Sequence, residues 1–340
     1  MRQRSLVTAL ACALALSACA SDIDDSPGTA ADAEAQPAAS ERPWSWTDGS
    51  GRTVELDQAP ERIIAHAGAA AALMTYGIRP IAIYGDESVD TDPNLDGLDL
   101  TGIEIIGEEW GTIDVAKAST LSPDLVVADY WPVEKAYSGM ENGTKKSSRK
   151  LADLAPVVGA AQGESILAMV EEYEALAASL GADTADPEFA DDKQRFEAAL
   201  AEFQDLMAEK DGLSALAVSP TDDLLYVANP EFAPELLDFQ EWGLEVIDPE
   251  TPDPDFPYWE NVSWENADKY HPDVLLMDSR TFDDSLKTGE AQPTWTSIGA
   301  AEAEQVVEWP AFWLHTYADY ADALEQLTDE LADADAEVGS

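Results

Sequence analysis

The chain reads as an α/β protein of two Rossmann-like lobes joined by a long bridging helix, and three observations lead there. A strand, helix, strand alternation opens the globular sequence, the pattern of a parallel βαβ unit. A proline-started apolar strand occurs twice, 149 residues apart. Between the two copies, Glu164 to Leu180 carries a single apolar stripe at helical spacing.

The N-terminus is taken first. Arg2 and Arg4 precede an unbroken apolar run from Leu6 to Leu16, then small residues and a cysteine. This is the layout of an export signal, and the run is too short to stay in a bilayer as a spanning helix. Leu16-Ser17-Ala18-Cys19 resembles the lipobox of bacterial lipoproteins. That resemblance implies removal of residues 1–18, lipid on the Cys19 sulfur and a chain anchored extracytoplasmically to the cell membrane. Cys12 would leave with the signal, so the mature chain would keep no thiol for a disulfide or for catalysis. Residues 19–42 are mostly Ala, Asp, Ser, Pro, Glu and Gln, too polar to offset the entropy of ordering, and predict a disordered tether.

Globular sequence begins at Trp44 and Trp46. A turn at Asp48-Gly49-Ser50-Gly51 leads to a β-like run over Thr53 to Leu56. Ile63 to Ala65 predicts a strand, Gly68 to Tyr76 a small-residue helix stopped by Gly77, and Pro80 to Gly85 the next strand. The repeated segments are Ser122-Pro123-Asp124-Leu125-Val126-Val127-Ala128-Asp129 and His271-Pro272-Asp273-Val274-Leu275-Leu276-Met277-Asp278. Each reads as a strand buried on both faces of a parallel sheet, and two lobes of one plan explain the echo. Ile166, Leu167, Val170, Tyr173, Leu176, Ala177 and Leu180 mark the central helix, roughly 25 Å long at 1.5 Å per residue. It is either the beam between lobes or a packing helix within one. A second amphipathic helix runs from Pro187 to Lys210, and a strand at Leu213 to Val218 opens the second lobe. The boundaries are therefore 43–162 for the N-terminal lobe, 163–182 for the bridge and 183–340 for the C-terminal lobe.

Composition narrows the function. The 340 residues hold 69 Asp and Glu against 18 Lys and Arg, a net charge of −51 that becomes −53 once Arg2 and Arg4 are lost. Nucleic acid is excluded as a partner, because phosphate binding needs a basic face. Ten Trp and 45% hydrophobic residues separate the chain from acidic disordered sequences. The acids read as a solvated surface suited to high salt. There is no GxSxG, no Walker loop and no free cysteine, so no enzyme chemistry is indicated.

Pro60-Glu61-Arg62-Ile63-Ile64, Tyr76-Gly77-Ile78-Arg79-Pro80-Ile81-Ala82-Ile83, Leu121-Ser122-Pro123-Asp124-Leu125-Val126-Val127 and Tyr270-His271-Pro272-Asp273-Val274-Leu275-Leu276 follow in order behind the lipobox. Together they resemble the iron-siderophore and vitamin B12 class of periplasmic-type binding proteins, over roughly Arg52 to Leu331. The resemblance implies the class III fold with a rigid bridging helix, a shallow cleft between lobes and modest closure on a ligand. It implies a monomer that delivers a ferric siderophore to an ABC importer permease driven by a separate ATPase. No cofactor is implied. A corrinoid, haem or bare transition-metal ligand is the alternative.

Ligands of open α/β sheets sit beyond the carboxyl ends of the strands. That rule selects His66, Asp86, Trp110, Tyr130 and Trp131 in the first lobe, and Asn229, Phe232, Arg280 and Trp313 in the second. Trp259 and Trp295 lie in proline-containing loops that could reach the same face. Aromatic planes and an arginine suit a flat, anionic iron chelate. Lys135, Lys145, Lys146, Arg149 and Lys150 form the one basic cluster, either a lure for an anionic siderophore or a solvated loop paired with neighbouring acids. His66, His271 and His315 show no HxH or HxxxH spacing, so no protein metal site is indicated, and His271 and His315 read as capping or surface residues.

Overall fold

The computed structural model describes residues 43–163, 165–311 and 314–339. The export signal, Cys19, the tether, Glu164 and Trp313 lie outside the described residues. The first hairpin pairs β1 (Trp44–Thr47) with β2 (Thr53–Leu56) in antiparallel register. The Asp48 carboxylate organises its turn, accepting from Ser50 N (3.0 Å), Ser50 Oγ (2.6 Å) and Arg52 N (3.2 Å), while Gly51 takes the positive φ of 77°.

Five parallel strands build the first sheet: β3 (Ile63–His66), β4 (Ala82–Gly85), β5 (Glu104–Glu108), β6 (Leu125–Val127) and β9 (Val157–Val158), in the order β5-β4-β3-β6-β9. The central strands β3, β4 and β6 are buried along their whole length, as continuous apolar runs in a parallel sheet should be. Helix α1 (Ala67–Thr75) opens with six alanines and glycines and is buried from Ala67 to Leu73, and Gly77 closes it at φ 76°. Helix α2 (Val115–Thr120) is capped by Asp114, whose carboxylate accepts from Lys117 N at 2.9 Å. Between β6 and β9 the chain throws out a small hairpin, β7 (Tyr130–Trp131) with β8 (Ala136–Tyr137).

The second sheet contains β10 (Ser214–Pro220), β11 (Leu224–Ala228), β12 (Glu245–Val246), β13 (Trp259–Ser263), β14 (Val274–Asp278) and β15 (Val306–Trp309), in the order β13-β11-β10-β14-β15 with β12 also on β10. Here the two lobes depart from one shared plan: β11 runs antiparallel to both β10 and β13. Only Thr221, Asp222 and Asp223 join β10 to β11, and so short a link can make a hairpin but no parallel crossover. The remaining helices of this half are α5 (Pro234–Glu241), α6 (Phe282–Glu290), α7 (Gly299–Glu302) and α8 (Tyr317–Ala332).

The echoed strands β6 and β14 occupy equivalent places, each flanked by the first parallel strand of its sheet and by the last. Their Pro-Asp starts do the same work. Asp124 donates its N–H to Arg62 O (3.0 Å) while its carboxylate accepts from Glu61 N (3.0 Å) and Arg62 N (2.8 Å). Asp273 donates to Ser214 O (3.0 Å) and accepts from Ser214 N (2.9 Å) and Ser214 Oγ (2.7 Å). The motif is a clip that fastens the start of one strand to the start of its neighbour.

Helix α3 (Ile166–Ser179) packs on α1 of the first half and α5 of the second. The N-terminus of this helix is tied to the second half, since Asp238 Oδ2 accepts from Ile166 N (2.9 Å) and Leu167 N (3.1 Å) and also from Tyr320 Oη (2.7 Å). Helix α4 (Pro187–Glu209) lies along α8, with Phe196 against Tyr320 and Trp242 and Phe203 against Phe239. One apolar core runs through α1, α3, α4, α5 and α8 between the sheets, and two smaller clusters cover their other faces.

Candidate ligand-binding cleft

A buried polar junction sets the two halves against each other. Asp129, just past β6, accepts from Gln162 Nε2 (2.7 Å), His315 Nε2 (3.0 Å) and the Tyr173 hydroxyl of α3. The other His315 ring nitrogen meets Asn94 Oδ1 at 2.9 Å. Burial alone would raise the Asp129 carboxyl, but His315, His66 and Tyr173 outweigh it and hold the acid below its ordinary value. His315 is therefore not a surface or capping residue: it precedes α8, is buried, and fits because Gly68 of α1 has no side chain. A Cβ there would stand 2.3 Å from the imidazole.

Above this junction a cavity of about 470 Å³ opens between the halves. Trp110, Trp131, Glu134, Glu141 and Asn142 wall it from the first half. Phe232, Glu235, Phe256, Tyr258, Trp259, Asp278, Arg280 and Trp309 wall it from the second. A recess of about 740 Å³ continues from it, sharing Trp131, Asn229, Phe232 and Tyr258 and adding Val133 and Gln162. Among the described residues the exposed large hydrophobics are Trp110, Val133 and Phe256, and all three border these two spaces. Unpartnered apolar surface gathered at one mouth marks a binding face.

The walls are held in place from behind. Trp131 donates its Nε1–H to Ser138 Oγ at 2.9 Å across the β7–β8 hairpin. Tyr258 is flanked by Phe232 and Phe256, each with ring centroids 5.0 Å away, and Trp259 meets Tyr226 edge-on at 6.3 Å. Asn229 donates to Pro257 O at 3.0 Å, so it positions the aromatic loop. Arg280 turns its guanidinium onto Asp278, with Nε 3.0 Å from Oδ1 and Nη2 2.6 Å from Oδ2, so its charge is already met.

Two buried glutamates face the cavity with one oxygen each unmatched. Glu235 Oε1 accepts from Trp309 Nε1 at 3.1 Å, while Oε2 has no hydrogen-bond partner. Burial pushes this carboxyl up to about 8, against smaller opposing effects of its own backbone, Trp309 and Arg280. Glu141 Oε1 accepts from Gly139 N at 3.1 Å, its Oε2 is unmatched, and burial raises this acid too.

Of the residues selected from the sequence, the structure brings together Trp110, Trp131, Asn229, Phe232, Trp259 and Arg280. Tyr130 does not line the cavity; successive strand residues face opposite ways, and its ring lies 5.3 Å from Tyr137. Trp295 is 5% exposed in the second half's core, against Trp264 and the bare face of Gly289, far from the role of a ligand contact. His66 is also buried, with Nε2 3.5 Å from Asp86 Oδ2. Burial works to lower its pKa, but Asp86, Asp129 and Asp92 outweigh burial and leave it raised. None of Lys135, Lys145, Lys146, Arg149 and Lys150 lines either space. Sequence reasoning missed Glu141, Glu235, Tyr258 and Trp309. The Phe256-Pro257-Tyr258-Trp259 cluster inside an Asp- and Pro-rich loop was a usable signal, whereas nothing local distinguishes the two glutamates from the other acids.

The family model for periplasmic binding proteins matches residues 94–312, and the chain belongs to that family. Among solved structures it is similar to DesE, a ferric-siderophore receptor protein from Streptomyces coelicolor, at 29% identity and TM-score 0.74, covering 86% of this chain and 99% of that one. It shares its fold with Staphylococcus aureus SirA, solved with staphyloferrin B (18% identity, TM-score 0.58, 86% and 99% covered). It also shares it with the vitamin B12 binding protein BtuF of Vibrio cholerae (20% identity, TM-score 0.56, 80% and 97% covered). A search of curated proteins finds no match. The fold is that of the class III, iron-siderophore and B12 group, whose members are extracytoplasmic substrate-binding proteins of transport systems. Among the described residues no helix is long and apolar enough to cross a membrane.

Proposed function

We propose that this chain is the substrate-binding component of an ABC importer, a lipid-anchored monomer that captures a ferric siderophore between its halves and hands it to the membrane permease. In this reading 43–162 and 183–340 close about the bridge at 163–182, and lipid on Cys19 keeps the loaded protein beside its transporter. What supports it most is the cavity itself: seven aromatic rings drawn from both halves, two of them, Trp110 and Phe256, exposed at the mouth, enclose a volume suited to one small chelate. Likeness to the ferric-siderophore receptor DesE points the same way.

Tryptophan fluorescence tests it. Titration with iron-loaded siderophores should quench emission with a dissociation constant in the micromolar range or below, and Trp131→Ala should weaken binding at least tenfold, about 1.4 kcal/mol. Binding of cyanocobalamin with no response to any ferric chelate would replace the siderophore with a corrinoid.

A further inference from the structure

The cavity's charge is opposite to that of an anion receptor. Its ionisable walls are Glu134, Glu141, Glu235, Asp278 and Arg280, and the single guanidinium is spent on Asp278. The five basic residues that could have drawn an anion stand off the walls. Glu141 and Glu235 are 8% and 2% exposed, one from each half, and each keeps an Oε2 without a hydrogen-bond partner. A buried polar atom left unmatched costs free energy that a ligand can return only by bringing the complementary group.

Resting on the siderophore reading above, we propose that the cleft selects ferric chelates of zero or positive net charge that present N–H donors, with Glu141 and Glu235 receiving those donors from the two sides. The charge arithmetic of iron(III) separates the classes. Three hydroxamates cancel the metal's charge, and an ammonium arm makes such a chelate cationic. Three catecholates leave a charge of −3, and mixed hydroxycarboxylates also leave an anion. A cationic donor arriving at Glu235 draws off the proton that burial holds there, whereas an anionic chelate would enter a desolvated space in which Arg280 is already paired with Asp278 and no other lining cation meets its charge. Aromatic walls bind the apolar flanks of any of these chelates, so the rings supply affinity and the two acids supply the choice.

Three iron-loaded probes decide the matter, each titrated by fluorescence at the lowest salt at which the protein stays folded: a linear trihydroxamate with a terminal amine, the same chelator with its amine acetylated, and a tripodal triscatecholamide. Both trihydroxamates should bind at least a hundredfold more tightly than the triscatecholamide, and the amine form more tightly than the acetylated one. In Glu141→Gln and Glu235→Gln, checked for folding by circular dichroism, the preference for the amine form over the acetylated form should shrink severalfold. If the triscatecholamide binds as well as the trihydroxamates, charge selection is overturned while the siderophore reading stands. If the preference persists unchanged in both variants, the assignment to these glutamates is overturned. If none of the three binds and cyanocobalamin does, the siderophore reading itself falls.

Discussion

Glu235 carries a cost in the empty protein that its surroundings do not relieve. Its raised carboxyl holds a proton in the fold that the unfolded chain releases near its ordinary 4.5, so stability falls as pH rises from about 4.5 to about 8. His66 adds to the same slope, because a raised histidine stabilises fully below 6.5 and its contribution is lost as pH climbs through the folded value. Glu235→Gln should therefore raise the melting temperature at pH 8, by on the order of 3 kcal/mol of stability, and flatten the decline between pH 5 and 8. Gly68 has the opposite character. Gly68→Ala places a methyl where His315 lies, so the imidazole must leave Asp129 or α1 must shift. A loss of about 3 kcal/mol in urea unfolding is expected, since a buried carboxylate then loses its partner.

The repeated Pro-Asp strand starts are the element whose role the fold makes plain. Asp124→Ala and Asp273→Ala should each cost about 1–3 kcal/mol by denaturant midpoint, and the double variant should lose close to the sum, because the clips lie in different sheets and share no partner. These clips were legible because they are local: proline, aspartate and four apolar residues suffice to write the start of a buried strand. Helix α3 was legible for the same reason, its stripe recurring every three to four residues. The direction of β11 was not legible, because two apolar runs look alike whichever way they pair, and only the three residues between them decide it. Cleft aromatics could be picked out at strand ends and in proline-containing loops, with Trp110, Trp131 and Trp259 gathered and Trp295 buried in the core. Aromatic side chains serve cores and clefts equally, and no local pattern tells which. The buried glutamates were invisible, since a carboxylate in sequence is nearly always a solvated one.

The whole molecule combines a continuous apolar core with a chain that carries 69 acids, and the two features respond to different solvents. Self-repulsion at −51 is relieved by added ions, so the melting temperature should climb steeply from low to molar NaCl; a flat curve would remove any salt adaptation. His315 ties this assembly together from the far end of the chain, reaching Asn94 and Asp129 across 221 and 186 positions. The first sheet is complete in sequence by Val158, yet its buried aspartate stays short of a partner until residue 315 has been delivered. A chain that emerges from a ribosome or an export pore N-terminus first thus cannot finish its first half early. The segment that leads into its last helix acts as the clasp.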